Sequence, residues 1–290
     1  MHELLSSSPL ALVLLITITG MLVGSFLNVV GYRLPIMMEQ RWKAECKELI
    51  SPDSASGSNE PVFNLMVPRS ACPACGHQIS ALENIPVISY LFLGGKCKGC
   101  KTSISIQYPI VEAITGIASG FIAWHYGYSW QTLAALILTW SLIALTIIDI
   151  KKQLLPDSIT LPLLWFGILV NLNGLFTDIH SSILGAVFGY LSLWSVYHLF
   201  RLVTGKEGMG YGDFKLLAAL GAWMGWQLLP VIILFSSLVG AVAGVFMIVS
   251  RRQQQGQPIP FGPFLAVAGW IALIWGHSIS QAYLKMSGLN

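Results

Sequence analysis

Residues 133–152 read LAALILTWSLIALTIIDIKK, and this stretch decides the fold. Its first sixteen residues carry no charge, and a helix that crosses a membrane needs roughly 20 predominantly apolar residues. The whole chain of 290 residues is 54% hydrophobic and only 10% charged, whereas about 25% of the residues in a typical soluble domain are charged. The sequence therefore predicts an integral membrane protein.

Apolar segments of similar length recur along the chain. The first covers about residues 9–30, a long polar segment follows over 31–109, and the remainder is almost continuously apolar. The predicted fold is an all-α polytopic membrane protein with about eight transmembrane helices and a large polar loop between the first and second spans. The seven further spans are placed near residues 110–126, 131–149, 158–176, 182–203, 213–229, 230–250 and 261–281.

Basic residues are distributed unevenly over these predicted spans. Eight alternating spans put the loops 31–109, 150–157, 204–212 and 251–260 on one face of the membrane. Fifteen of the sixteen lysines and arginines lie in or beside these loops, and Lys285 is the exception. Because short basic loops stay in the cytoplasm, we expect this face to be cytoplasmic and both termini to lie on the other side.

Two aspartates stand at the cytoplasmic ends of predicted spans. Asp149 closes the apolar stretch quoted above, and Asp213 follows the string GMGYG at 208–212. Charged residues inside a membrane bundle are costly and indicate function by default. Two carboxyl groups that share a site can share one proton, so that one acts as a base on water while the other donates to a carbonyl oxygen. The two aspartates are therefore candidates for a hydrolytic pair.

Structural roles are the alternative for some of these residues. Aspartate is a favoured N-cap, and both Asp213 and Asp157, in LPDSIT, stand where a helix should begin. Asp149 stands at a helix C-terminus, where the helix dipole disfavours an anion, so a structural role is less natural there. Gly210 and Gly212 permit a tight turn and close approach of a substrate backbone. With Gly208 they form the spacing G-x-G-x-G, which without a βαβ unit excludes a dinucleotide-binding loop.

Four of the five cysteines form two C-x2-C pairs in the large polar loop. Cys72 and Cys75 make the first pair, Cys97 and Cys100 the second, and 21 residues separate them. Two such pairs are typical of tetrahedral zinc with four thiolate ligands, a closed site with a structural role. The alternative is four reduced or disulfide-bonded cysteines without a metal. Cys46 lies outside the pattern and is expected to be a free thiol.

Other polar residues have simpler interpretations. Glu112, near the start of the second predicted span, is expected to form an ion pair with a nearby lysine. Arg33, with Asn28 and Tyr32, either shapes the mouth of an active site or reaches the membrane interface as a snorkelling side chain. Asn171 is expected to make a hydrogen bond between helices.

Four strings in this order resemble those of bacterial type IV prepilin peptidases. They are GSFLNVVGYRLP (24–35), NIPVISY (84–90), ID-x6-PD (148–157) and GxGDFK (210–215). The GxGD string alone is weak, because it also occurs in presenilin-like and archaeal preflagellin peptidases. The ordered set with the cysteine loop is specific and covers nearly the whole chain. The resemblance implies that Asp149 and Asp213 are the catalytic pair, which outweighs the cap interpretation of Asp213.

The resemblance also implies a function and a location. Members of that family are aspartic endopeptidases that remove the leader of type IV prepilins and pseudopilins at the cytoplasmic boundary of the bacterial inner membrane. Many also N-methylate the new N-terminal residue with S-adenosylmethionine, so this cofactor is expected beside structural zinc. Expected partners are prepilins, pseudopilins and membrane lipid, with no nucleic acid. The chain would divide into a first transmembrane helix (1–30), a cytoplasmic zinc-ribbon-like loop (31–109) and a transmembrane aspartic peptidase core (110–290).

Alternatives from other functional classes are a transporter and a scaffold. A proton-coupled transporter could use the two aspartates as a relay, although the apolar region shows no inverted repeat. A secretion-system scaffold could use the zinc loop for docking, and changing either aspartate to asparagine would then be harmless. A peptidase without methyltransferase activity is a third alternative.

Overall fold

The computed structural model describes residues 8–50, 63–249, 260–286 and 288. Most of the predicted basic loop 251–260, with Arg251 and Arg252, lies outside this part of the chain. Within it, regular secondary structure is helical apart from two isolated β-bridges in the cysteine loop, which join Ala71 to Gln78 and Lys96 to Ser103. The all-α prediction is therefore confirmed for the described residues.

The chain forms two compact units, Met1–Tyr128 and Ser129–Asn290. The first unit contains helices α1 (Pro9–Ile50), α2 (Ile88–Phe92) and α3 (Gln107–Tyr126). The second contains α4 (Trp130–Lys152), α5 (Asp157–Asn171), α6 (Ile179–Thr204), α7 (Tyr211–Met224), α8 (Leu229–Val249) and α9 (Gly262–Met286).

Among the described residues, five helices are long and apolar enough to cross a membrane, which makes the chain a multi-pass membrane protein. Helix α5 is apolar but shorter. The segments predicted near 110–126 and 213–229 are helical as α3 and α7, but neither is among the five, and α7 has only 14 residues. The predicted total of eight spans therefore stays a prediction. The five candidate spans are Pro9–Ile50, Trp130–Lys152, Ile179–Thr204, Trp226–Phe246 and Gly262–Met286.

Helix α1 continues well past residue 30, where the sequence suggested that a loop begins. It has 42 residues, and its exposed last part, 39–50, carries ion pairs between Arg41 and Glu45 and between Lys43 and Glu39. Such exposed pairs contribute little, but the segment is rich in strong helix formers such as Glu, Lys, Arg and Ala. Its polar composition suggested a loop, although the same residues favour a solvated helix.

The first unit is built on close packing of α1 against α3. A β-carbon added to Gly20 would lie 2.5 Å from the Ser119 hydroxyl oxygen, and one added to Gly24 would lie 2.8 Å from Glu112 Cα. Small residues at such positions let two helix backbones approach each other in a membrane. The close packing of α1 and α3 therefore brings the buried polar residues of the two helices near one another.

Helix α7 lies in the core of the second unit, where all its residues from 216 to 224 are buried. It crosses α6 at Gly185 and Gly221, and a β-carbon on either glycine would overlap the backbone carbonyl group of the other. Neither backbone can withdraw as a flexible side chain can. This crossing therefore fixes the position of α7, which carries Asp213 near its other end.

The C-terminal end of α7 is closed by Asn171. The side-chain amide donates to the carbonyl oxygens of Ala222 and Trp223, each at 2.9 Å. The amide oxygen accepts from the backbone N–H groups of Phe176 and Thr177. Since the last carbonyl groups of a helix lack partners within the helix, Asn171 satisfies them from α5. The predicted interhelical hydrogen bond is confirmed.

We predict that Gly185→Ala destabilises the protein, because the added methyl group meets the Gly221 backbone. Overpacking of this kind costs typically 1–3 kcal/mol, and the effect should appear as a lower thermal unfolding midpoint in detergent. Val187→Leu, at an exposed position of the same helix, is the control and should leave the midpoint unchanged. Equal midpoints for Gly185→Ala and the unaltered protein would contradict the close crossing.

Candidate active site and cysteine cluster

Asp149 lies in the last turn of α4 and is only 5% exposed. Its Oδ2 accepts a hydrogen bond of 3.0 Å from the backbone N–H of Gly262, the first residue of α9. The first N–H groups of a helix have no partner within it, and the dipole makes that end positive. The start of α9 therefore stabilises a carboxylate that the end of α4 disfavours.

Asp213 is the third residue of α7 and is 7% exposed. Gly210 occupies the N-cap position, and its carbonyl oxygen accepts a 3.2 Å hydrogen bond from the backbone N–H of Asp213. An acidic side chain in the first turn of a helix interacts favourably with the helix dipole. Asp213 therefore lies in the first turn of its helix and not at the N-cap position that the cap interpretation gave it.

The structure places the two predicted carboxyl groups in the same part of the second unit. Asp149 and Asp213 are close enough for their carboxyl groups to interact electrostatically. Leu155 and two glycines lie beside them: a β-carbon on Gly262 would be 2.7 Å from Asp149 Oδ2, and one on Gly212 would be 2.7 Å from Leu155 Cβ. The site therefore contains buried acids, and at these two glycines it has no space for a side chain.

Gly210 and Gly212 differ in their surroundings. A β-carbon on Gly210 would meet nothing nearer than 4.0 Å, where Asp213 Oδ2 lies, whereas Gly212 is packed against Leu155. Sequence reasoning did not single out Leu155 or Gly262. The only local signal for Gly262 is its place between prolines in PIPFGPF (258–264).

Asp157 is paired with Lys215 and does not cap its helix. Lys215 Nζ lies 2.7 Å from Asp157 Oδ1 and 2.8 Å from Oδ2. Pro156 occupies the N-cap position of α5 without a side-chain hydrogen bond, so the predicted capping role of Asp157 is wrong. The ion pair joins α5 to α7 two residues after Asp213, and thereby connects the two aspartate-containing strings of the sequence.

The four cysteines of the two C-x2-C pairs meet in the first unit, with all four sulfur atoms within 4.8 Å of one another. The Sγ atoms of Cys72 and Cys100 are 3.8 Å apart, and those of Cys75 and Cys97 are 4.0 Å apart. Zinc–sulfur bonds of about 2.3 Å at tetrahedral angles separate the sulfurs by about 3.8 Å. All four thiols are free, so the arrangement fits a metal ion and does not support the disulfide alternative.

Local hydrogen bonds favour the thiolate form at two of the four cysteines. The side chain and then the backbone of Thr102 lower the pKa of Cys100 to about 6, and a metal ligand must be a thiolate. The backbone N–H groups of Ala74 and Cys75 lower the pKa of Cys72. A backbone N–H also lowers the pKa of Cys75, but the Cys100 thiol and burial together raise it to about 11. Thiolates are therefore favoured at Cys72 and Cys100 in particular.

Glu83 connects the two cysteine pairs. It accepts a backbone hydrogen bond from Ser80 and contacts His77 at 3.1 Å and Lys98 at 3.2 Å. The Ser80 N–H and then the His77 side chain lower the pKa of Glu83 to about 2. His77 follows the first pair and Lys98 lies within the second, so this carboxylate holds the two turns together independently of a metal.

Two polar residues of the first unit differ from expectation. Arg33 is buried and donates to the carbonyl oxygens of Asn64, at 2.9 Å, and Pro68, at 2.6 Å. It therefore anchors the segment that leads into the cysteine pairs and does not snorkel. Glu112 is buried and accepts a 2.7 Å hydrogen bond from the backbone N–H of Val87. No lysine or arginine among the described residues pairs with it, so the expected ion pair is wrong.

A helical membrane unit that buries two interacting carboxyl groups has the features of an aspartic membrane peptidase. Comparison with protein families agrees with this class. The model described as Bacterial Peptidase A24 N-terminal domain matches residues 18–126, and the model described as Type IV leader peptidase family matches residues 136–245. The chain belongs to the type IV leader peptidase family.

Individual relatives are similar to the chain over nearly its full length. Proteins named prepilin leader peptidase/N-methyltransferase from Pseudomonas aeruginosa and Stutzerimonas stutzeri are each 57% identical to it over 288 residues, which is 99% of either chain. The protein of that name from Neisseria gonorrhoeae is 51% identical over 282 residues, covering 97% of this chain and 96% of its own. No solved structure matches the chain.

We predict that Lys215 and Asp157 stabilise the fold as a pair. Lys215→Met and Asp157→Asn should each lower the unfolding midpoint, and the double variant should be no less stable than either single variant. The interaction energy between the two side chains, taken from the double-mutant cycle, should be at most about 1 kcal/mol because both groups are partly exposed. Lys206→Met, at an exposed position outside any ion pair that is described, is the control. Additive losses in the double variant would contradict the pairing.

Proposed function

We propose that the chain is a membrane aspartic endopeptidase that removes the leader peptide of type IV prepilins and pseudopilins and N-methylates the new amino terminus. The observation that carries the peptidase is the burial of two carboxyl groups, Asp149 and Asp213, around Leu155 and inside the region that matches the leader peptidase family. Full-length similarity to relatives named prepilin leader peptidase/N-methyltransferase supports both activities. No finding favours the transporter or the scaffold.

In the proposed cleavage, the two aspartates divide the proton transfers. The Gly262 N–H bond favours the ionised form of Asp149, so Asp149 would take a proton from the attacking water. Two like charges in one site disfavour a second ionisation, so Asp213 would stay protonated and donate to the scissile carbonyl oxygen. Gly210 and Gly212 would form the turn along which the substrate backbone passes, with Gly210 as its open side.

We also propose the finer topology that the sequence suggested. Eight spans would place Asp149, Asp213 and the cysteine loop on the cytoplasmic side of the bacterial inner membrane. The uneven distribution of lysine and arginine supports this orientation. The proposed division is a first transmembrane helix (1–30), a cytoplasmic zinc-binding loop (31–109) and a transmembrane peptidase core (110–290). The first part of the loop would then be the solvated continuation of α1 beyond residue 30.

Zinc and S-adenosylmethionine are the proposed cofactors. Cys72, Cys75, Cys97 and Cys100 would hold zinc with four thiolates and no open position, so the ion would be structural. A small module held by two isolated β-bridges has little core of its own, and metal binding then contributes directly to its folding. S-adenosylmethionine would supply the methyl group, and its proposal rests on the relatives' names.

We predict that Asp149→Asn and Asp213→Asn each reduce leader cleavage by about 100-fold or more, since a positioned acid or base contributes roughly 10²–10⁴-fold. Cleavage of a prepilin would be followed in membranes that contain matched amounts of each variant. Asp178→Asn is the control, because it preserves an N-cap side chain far from the two acids in sequence. Normal cleavage by both active-site variants would rule out the two-aspartate mechanism.

We predict about one zinc ion per purified chain, a stoichiometry that a single four-thiolate site requires. Cys97→Ser should lose most of this zinc in elemental analysis and expose the loop to limited proteolysis. Cys46→Ser removes a cysteine outside the cluster and should retain the metal. Undiminished zinc in Cys97→Ser would show that the cluster is not the metal site.

A further inference from the structure

The first unit contains a buried acid that the cleavage mechanism does not use. Glu112 of α3 is 8% exposed, and its one described hydrogen-bond partner is the backbone N–H of Val87, at 2.7 Å. No described lysine, arginine or histidine lies within ion-pair distance. A buried carboxylate that has no cationic partner is costly to keep. Such a group indicates a role beyond helix packing.

An unsatisfied acceptor lies at the same helix crossing. Asn28 of α1 is 3% exposed, and its Nδ2 donates to the carbonyl oxygens of Gly24 and Tyr108. These two contacts fix the orientation of the amide, because the reverse orientation would place its oxygen against two carbonyl oxygens. Asn28 Oδ1 is buried and has no hydrogen-bond partner among the described residues. Few buried polar atoms in folded proteins are left in this state.

Asn28 and Glu112 lie within one helical turn of each other across the interface. Gly24, one turn before Asn28, is packed so closely that a β-carbon would lie 2.8 Å from Glu112 Cα. Tyr108, one turn before Glu112, accepts the Asn28 hydrogen bond at 3.2 Å. Residues four apart share a helix face, so Asn28 and Glu112 are neighbours on the two facing surfaces of this crossing.

The residue that contacts Glu112 has a strained backbone. Val87 has φ 59° and ψ −47°, and a positive φ is a genuine outlier for a β-branched residue. Strain of this kind persists where the surroundings enforce it and concentrates at binding sites. Here it turns the Val87 N–H toward Glu112, whose carboxylate thereby gains one donor but no positive charge.

We propose that Asn28 and Glu112 bind the free amino terminus of the cleaved substrate as a primary ammonium group. A carboxylate and an amide oxygen only accept hydrogen bonds, whereas an ammonium group only donates them and carries the charge that Glu112 lacks. This inference rests on the proposed N-methylation, for which the new amine must be held in place. The amine would be bound by residues of the first unit, whereas Asp149 and Asp213 belong to the second.

The test uses the full-length protein in detergent and a synthetic peptide that matches the cleaved substrate. Glu112→Gln should raise the KM for methylation of this peptide by roughly 10- to 100-fold, which corresponds to about 1.4–2.8 kcal/mol at 1.4 kcal/mol per tenfold. The factor by which the rate of leader cleavage changes in this variant should be at least about tenfold smaller than the factor by which the KM for methylation rises. Glu45→Gln, on the exposed part of α1, is the matched control and should alter neither activity.

A binding measurement with the same peptide separates recognition from folding. The unaltered protein should bind the free-amine peptide at least about tenfold more tightly than its N-acetylated form, and both Glu112→Gln and Asn28→Leu should remove most of this preference. An unchanged KM in Glu112→Gln, or equal binding of both peptides by the unaltered protein, would overturn the inference. If the unaltered protein transfers no methyl group, the proposed methyltransferase activity fails, whereas the peptide preference still decides whether the amine is bound.

Discussion

The hydrogen bond from the Gly262 backbone N–H to Asp149 is the contact on which the active site depends. A carboxylate at the end of α4 faces the negative end of its own helix dipole, so it needs a positive partner. The start of α9 supplies it, which fixes α9 against α4. Because a β-carbon at position 262 would lie 2.7 Å from Asp149 Oδ2, only glycine allows this approach.

The position of Asp213 is set by packing contacts at the opposite end of its helix. Asp213 stands at the start of α7, and the remainder of that helix is buried, locked against α6 at Gly185 and Gly221 and closed by Asn171. These contacts lie in the apolar part of the unit, where no chemistry occurs. They nevertheless determine where the carboxyl group sits, since a catalytic group is only as precise as the element that carries it.

The sequence predicted features that depend on local pattern and missed those that depend on distant contacts. Apolar length predicted the five candidate membrane spans, and the spacing of the cysteines predicted their cluster. The partner of Asp149 is 113 residues away and the partner of Asp157 is 58 residues away, so neither was apparent. Local preference made Asp157 a cap, and the polar composition after residue 30 suggested a loop where α1 continues as a solvated helix.

Asp149 and Glu112 solve the same physical problem in the same way. Each is buried and each receives a backbone N–H, from Gly262 and Val87 respectively. A neighbouring lysine would stabilise either carboxylate more strongly, but it would also neutralise the charge that a substrate needs to meet. A backbone donor lowers the cost of burial and leaves the negative charge free. In the proposed reactions that charge accepts a proton from water at Asp149 and holds an ammonium group at Glu112. A lysine beside Glu112, which the described residues do not supply, would compete with that ammonium group.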